Sequence, residues 1–280
     1  VTVGDLDGYR VLVTGGGSGI GEGCALRLVS DGATVTICGR TAERLSEAAQ
    51  RIKSLTGIAP AIVVADVTDA DQISKAVGLG AGDAGLLNGV VASAGGSLHM
   101  GPLHLADVDA VRATLEVNVI GTFLTLKAAA PMLRAAGGSF VGISSHAGLD
   151  SFRFLGAYGA AKAGLDHMLK VAADELGAAR VRVNSVRPGI IADELMKPIT
   201  DGGPVLDSYL ENIPLHRVGE VDDVAQLVRF LIGPDSSWIT GQCISIDGGQ
   251  SLRRGADYGA FADAIHATDP EMSWVHEPNG

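Results

Sequence analysis

Tyr158 and Lys162 are the pair whose types and spacing first suggest chemistry. Four apart on a helical stretch, they share one face. A free tyrosine has a pKa of about 10 and is a poor base at neutral pH. An ammonium beside it favours phenolate and draws that value down. Such a pair gives and takes a proton at a reacting oxygen. Ser145 stands just past a strand-like run, placed to donate its hydroxyl to a carbonyl oxygen, and Asn118 lies within a long helical stretch. Each residue alone has a plainer reading. A lone tyrosine on an alanine-rich helix packs, a lone lysine is a solvated charge, a mid-helix asparagine only hydrogen-bonds, and Ser144-Ser145 caps a helix. Their joint placement at strand ends and on adjacent helices favours an active site.

Those residues need a scaffold, and the stretch Val11-Leu12-Val13-Thr14-Gly15-Gly16-Gly17-Ser18-Gly19-Ile20-Gly21 begins it. An apolar β-branched run feeds a glycine-dense turn, and an amphipathic pattern starts at about Ser18. Glycine permits positive φ and has no Cβ to block a bulky ligand. The first helical turn adds unpaired N–H groups and the positive end of the helix dipole, which suits a dinucleotide pyrophosphate. An ordinary turn explains five glycines poorly. A phosphate-gripping P-loop would need a Lys-Ser/Thr pair after the glycines, and none follows.

The chain is 280 residues long, the size of one α/β domain with a substantial core. Apolar residues make up 46% and aromatics only 4%, so the core must be Val, Ile, Leu and Ala, as in buried parallel sheets. A net charge of −11 argues against nucleic acid or an anionic membrane as partner. Cys24, Cys38 and Cys243 lack metal-ligand spacing and read as buried, reduced thiols of a cytoplasmic protein. No metal site is expected. No signal peptide precedes the first strand, and no apolar run reaches the ~18 residues of a membrane span.

Strands are expected at 9–14, 33–38, 61–65, 87–92, 139–143, 181–186 and 243–246, with helices between them. Thr41 and Asp69 are placed to cap helices, Gly57 to end one, and 108–136 reads as one long helix. Alternation of this kind makes an α/β fold: a doubly wound, mostly parallel seven-stranded sheet with helices on both faces. Residues 1–252 form this single domain. Residues 253–280 form a polar C-terminal extension in which Tyr258, Phe261, Met272 and Trp274 are scattered.

With these residues in view, the chain resembles the short-chain dehydrogenase/reductase family over residues 5 to 250. Thr14 to Gly21 is similar to its cofactor fingerprint. Asn118, Ser145, Tyr158 and Lys162 fall in the family's order, with Ser145 thirteen before Tyr158, which favours it over Ser144. Asp66-Val67, Pro188-Gly189 and Asp247-Gly248-Gly249 complete the match. The resemblance implies a Rossmann fold binding a nicotinamide cofactor through Gly15, Gly17, Ser18, Gly19, Ile20, Gly21, Arg40, Asp66, Val67, Ala94, Gly95, Tyr158, Lys162, Pro188, Gly189 and Ile191. It implies that Lys162 bonds the nicotinamide ribose and Asn118 holds a proton-passing water. Tyr158 then protonates the substrate oxygen as hydride arrives. By the same resemblance, the small-residue helices at 108–136 and 157–177 pair subunits into a dimer or tetramer.

Cofactor choice turns on the end of the second strand, where an acidic residue selects the ribose 2′-OH. Gly39 occupies that position and Arg40 follows, matching a 2′-phosphate, so NADP(H) is expected over NAD(H). Alternatively Arg40 caps the loop or stacks on adenine. Two departures from the family pattern stand out. Ser93 replaces an asparagine, and Asp193 stands where a threonine usually touches the carboxamide. The substrate pocket is expected from 95–103, 146–154 and 190–217, with Gly96, Leu98, Met100, Leu149, Phe152, Phe154, Ile191, Leu195 and Met196 lining it. His99, His104 and His146 read as surface or hydrogen-bonded loop residues. This lining suits an apolar ketone, alcohol, 3-oxoacyl thioester or steroid-like substrate. The competing function is a non-catalytic dinucleotide-binding sensor or scaffold, and a sugar-nucleotide epimerase would need a longer substrate segment. The extension covers a neighbouring subunit's pocket or lies on the surface.

Overall fold

The computed structural model describes residues 6–194 and 196–269. Leu195, Met272 and Trp274 lie outside the described residues. In chain order the main elements are β1 (Arg10–Thr14), α1 (Gly19–Ser30), β2 (Thr34–Gly39), α2 (Ala42–Thr56), β3 (Ala61–Val64), α3 (Ala70–Ala81) and β4 (Gly89–Ala92). Then come α4 (Val108–Leu115), α5 (Gly121–Ala136), β5 (Ser139–Ile143), α6 (Gly156–Gly177), β6 (Arg182–Pro188) and β7 (Ile191–Ala192). The chain continues through α7 (Lys197–Thr200), α8 (Pro204–Asn212), β8 (Gly219–Glu220), α9 (Val221–Ile232), β9 (Cys243–Ile246) and α10 (Gly259–Ile265).

Seven strands form one sheet in the order β3-β2-β1-β4-β5-β6-β9, and every pairing is parallel. The order reverses between β1 and β4, opening a crevice at the carboxyl edge where ligands bind in such sheets. Strand side chains alternate between two helical layers. Val11 and Val13 point to the layer of α1, α2 and α9, while Leu12 points to that of α3, α5 and α6. Asp69 caps α3 by accepting from Asp71 N and Gln72 N, and Gly57 ends α2 in a left-handed conformation. Thr41 sits at the N-cap of α2, but its side chain makes no cap bond. Glu220, just before α9, and Asp223 in its first turn form a reciprocal capping box.

The single long helix expected at 108–136 is instead two α-helices joined by a π-helical turn, Glu116–Ile120, which contains Asn118. A π turn inserts one residue and re-aims the side chains around it. This stretch is also long and apolar enough, with mean hydropathy 1.2, to cross a membrane by composition alone. The expectation of no such run is therefore corrected. In the fold its inner face packs on α3 and α6, while Leu115, Ile120 and Phe123 are exposed outward.

Candidate active site

The glycine-rich turn joins β1 to α1 at the carboxyl edge. Gly15 adopts φ +67°, and a Cβ there would lie 2.9 Å from Ala94 N. A Cβ on Gly21 would stand 2.2 Å from Gly15 O, so the turn and the first turn of α1 interlock only through glycine. Thr14 Oγ1 accepts from Ser93 N and Ala94 N, both at 3.2 Å, pinning the end of β4 to the turn. The Ser93 departure therefore leaves this joint intact, because the backbone makes it. Ser18 is the N-cap of α1 and its side chain makes no cap bond. A bare helix N-terminus above a turn free of side chains fits a dinucleotide pyrophosphate.

Arg40 lies exposed just past β2. Arg44, which the sequence pattern did not single out, is exposed on α2, with its Cβ 3.4 Å from where a Gly17 Cβ would stand. Its position relative to the turn is a tertiary fact with no motif to announce it. Asp66 accepts from both Thr68 N (2.9 Å) and Thr68 Oγ1 (2.8 Å), which shapes the loop after β3 and keeps Val67 buried. Gly189 N donates to Ile246 O, holding the Pro188-Gly189 turn against β9. Ile191 is buried in the short β7–β8 pair. Asp193 Oδ1 accepts from Met196 N at 2.8 Å, and its Oδ2 lies 2.7 Å from where a Gly19 Cβ would be. This carboxylate reaches the cofactor turn, a contact that spacing alone did not suggest.

The four expected catalytic side chains converge. Asn118 is fully buried; its Nδ2 donates to Gly96 O and Thr114 O, both at 2.7 Å, and its Oδ1 accepts from Gly96 N. A Cβ on Gly95 would lie 2.5 Å from Asn118 Oδ1 and 3.2 Å from Lys162 Nζ, so both groups flank one point. Lys162 Nζ donates to Ile143 O at 2.8 Å and sits 5.5 Å from the Tyr158 ring centroid. The Ser145 hydroxyl lies near the Tyr158 phenol and acts to lower its pKa. Ser145 Oγ also accepts from Ala147 N, whereas Ser144 is buried and donates to Lys162 O.

Two features hold α6 in place. Asp166, one turn beyond Lys162, pairs with Arg187 Nε and accepts from Ser185 Oγ, both at 2.6 Å. The short helical turn after Ser145 presses its Gly148 against the α6 backbone, leaving no room for a side chain.

The electrostatics correct one expectation. The ammonium does not draw the tyrosine down: burial pushes Tyr158 up to about 12, the Ser145 hydroxyl opposes this, and Tyr258 adds to it. Burial also lowers Lys162 to about 8, opposed by Asp166. Both groups sit in low-dielectric surroundings that disfavour their charged forms, and the ammonium is aimed at the Ile143 carbonyl. Cys24 and Cys38 are buried and pushed up to about 12, while Cys243 is only partly buried. His146 is buried rather than superficial: its Nε2 is 2.7 Å from Asp150 Oδ2, and its ring meets Phe152 edge-on.

Beyond Tyr158 lies a separate apolar cluster of Phe152, Phe154, Ile190, Ile199, Tyr209 and Tyr258, with Met100, Met196 and Phe261 against it. Phe154 has φ +74°, and its carbonyl accepts from Gly101 N, closing the 95–103 loop onto the start of α6. Among the expected lining residues Leu98 and Leu149 are exposed. Tyr209 and Tyr258 were not singled out for the pocket, since their 49-residue separation gives no sequence signal.

Comparison with known proteins bears on the family and the fold. A family model described as enoyl-(acyl carrier protein) reductase matches residues 15–251. The chain is 37% identical over 245 residues to trans-4-hydroxycyclohexanecarboxylate dehydrogenase of Sinomonas cyclohexanicum, covering 86% of this chain and 92% of that protein. A short-chain type dehydrogenase/reductase from Mycobacterium ulcerans superposes with TM-score 0.92 at 44% identity, covering 96% of this chain and 99% of that one. A short-chain dehydrogenase from Burkholderia cenocepacia, solved in complex with NADP, gives TM-score 0.81 at 34% identity, covering 88% and 99%.

Proposed function

The chain belongs to the short-chain dehydrogenase/reductase family, and from that premise we propose that it moves a hydride between NADP(H) and a ring ketone or secondary alcohol of largely apolar character. It is an NAD(P)-dependent oxidoreductase; the 2′-phosphate preference, the site roles and the substrate class are our reading. The observation that carries it is the meeting of the Tyr158 phenol, the Ser145 hydroxyl and the buried Lys162 ammonium at the carboxyl edge of the sheet.

The nicotinamide supplies the hydride when bound. Ser145 orients the carbonyl oxygen by donating to it. Tyr158, a neutral phenol across the working pH range, gives its proton to the same oxygen, and in the oxidative direction takes it back. Lys162 replaces that proton from behind Gly95, where Asn118 flanks it. Gly15, Gly17, Ser18, Gly19, Ile20 and Gly21 would hold the pyrophosphate, and Ala94, Gly95, Pro188, Gly189 and Ile191 would hold the nicotinamide. Asp66 and Val67 face the adenine. Arg40, with no carboxylate beside it in sequence, answers a 2′-phosphate.

The ring assignment has two supports. One relative acts, by its name, on a hydroxylated cyclohexane. The cluster beside Tyr158 is aromatic and buried, and an alicyclic ring packs well against such walls. The described part of the extension, 253–269, packs on its own chain: Asp257 N donates to Ser208 Oγ, and His266 Nε2 lies 3.3 Å from Met100 O. We assign it to the pocket wall of the same subunit. The exposed apolar face of Leu115, Ile120 and Phe123 is the subunit interface, which light scattering of a Phe123→Glu variant tests.

The deciding experiment measures Kd for NADPH and NADH and turnover of cyclic ketones. NADPH should bind about tenfold or more tightly, and Arg40→Ser should remove most of that preference. A clear preference for NADH, or no turnover of any ring ketone, overturns the reading.

A further inference from the structure

Tyr209 and Tyr258 come from α8 and from the segment leading into α10, yet their hydroxyl oxygens lie 2.6 Å apart. Both residues are almost fully buried, at 5% and 3% exposure. Their rings pack edge-on at 6.0 Å, and Phe152 touches both, at 6.1 and 6.5 Å between centroids. Tyr158 packs against the same cluster.

Hydrogen-bond accounting makes this pair unusual. Each phenol has one proton. The bond between the two hydroxyls uses one of them and leaves the other without an acceptor in the pair. Burial raises the pKa of both tyrosines, so both stay neutral donors. A buried donor left unmet bears a desolvation cost that a ligand oxygen relieves. Because Tyr158 packs against this cluster, the spare donor lies on the same side of the site as the reacting oxygen.

We infer that Tyr209 and Tyr258 form a specificity pair, whose spare hydroxyl proton binds a second oxygen substituent of the substrate, across the ring from the carbonyl held by Ser145 and Tyr158. This rests on the ring-ketone reading above and deepens it. The selected substrate is an alicyclic ketone with a hydroxyl or carboxylate oxygen remote from the reacting carbon. The C-terminal extension thereby takes part in substrate choice within its own subunit.

The test compares kcat/KM for cyclohexanone, 4-hydroxycyclohexanone and 4-oxocyclohexanecarboxylate with the wild type, Tyr209→Phe, Tyr258→Phe and the double variant. The wild type should favour at least one oxygen-bearing ketone over cyclohexanone by about three- to tenfold, the range for one neutral hydrogen bond. The double variant keeps both rings and should bring that ratio to near one, through KM with little change in kcat. The singles identify which hydroxyl delivers the proton, and they carry the test if the double variant does not fold. The two substituted ketones separate a neutral acceptor from an anionic one. A wild-type ratio of one, or a ratio unchanged by removing both hydroxyls, overturns the pair's role and leaves the ring-ketone reading standing. No turnover of any of the three overturns that reading and this one with it.

Discussion

The cofactor half and the substrate half of this molecule are built from different materials. The two layers flanking the sheet are almost wholly Val, Ile, Leu and Ala, with Phe140 the one fully buried phenylalanine among them. The substrate-side cluster takes in three of the six phenylalanines and three of the four tyrosines. On the proposed reading the cofactor half recognises its ligand with backbone, so glycine spacing is its specification. The substrate half, on the proposed reading, recognises with side chains drawn from segments as distant as Met100 and Tyr258. Backbone recognition is shared across a fold family, whereas side-chain recognition is where members part.

The contrast is broken most severely at Tyr158, which belongs to both halves. Tyr158→Phe keeps the ring and removes the proton. Turnover should fall by about a hundred- to ten-thousandfold with Kd for NADPH nearly unchanged, as stopped-flow and fluorescence titration would register.

On the cofactor side, Gly21→Ala drives a methyl group onto Gly15 O. Overpacking of this kind costs about 1–3 kcal/mol, so the melting temperature should drop by several degrees and cofactor affinity with it. An alanine of equal size on exposed Gly78, where nothing lies within 4 Å, should do neither.

The shared proton supply is sharpened by pH. Ketone reduction consumes a proton, and Lys162 holds one only below about 8. Reduction kcat/KM should therefore fall as pH rises through about 8, while Tyr158, pushed up to about 12, stays protonated there. Lys162→Arg, charged at every accessible pH, should lose that descending limb even if its overall rate is lower. A limb nearer 10, unmoved by the substitution, would contradict the assignment.

The smallest effect is expected where the halves touch. Asp193 sets a carboxylate against the glycine turn that receives a pyrophosphate. Asp193→Asn keeps an acceptor for Met196 N and removes the charge, so NADPH should bind about two- to fivefold tighter in low salt, and the gain should shrink in high salt.

How far the chain could be read before folding follows the same division. The strand–turn–helix unit at 11–21 was legible because five glycines have one economical explanation. That Tyr158, Lys162, Ser145 and Asn118 come together was legible because helical spacing and strand ends are local properties. The π turn at Glu116–Ile120 was not, since Glu-Val-Asn-Val-Ile carries no breaker. The sign of the Tyr158 shift was misread, because spacing reports the neighbouring charge and not the burial that outweighs it. His146 read as a surface or hydrogen-bonded loop residue: its bond to Asp150 bears out the second, while its burial against Phe152 is a tertiary fact.

By itself the sequence determined the strand–helix alternation, the glycine-rich turn and the residues proposed for the acid–base chemistry. These depend on local backbone preference and on periodicities of two and 3.6 residues. Only the tertiary structure decided that Tyr209 meets Tyr258, that Asp193 reaches Gly19, and that burial sets the protonation of the site. Contacts between distant segments and local dielectric arise when surfaces pack, and no run of neighbouring residues encodes either.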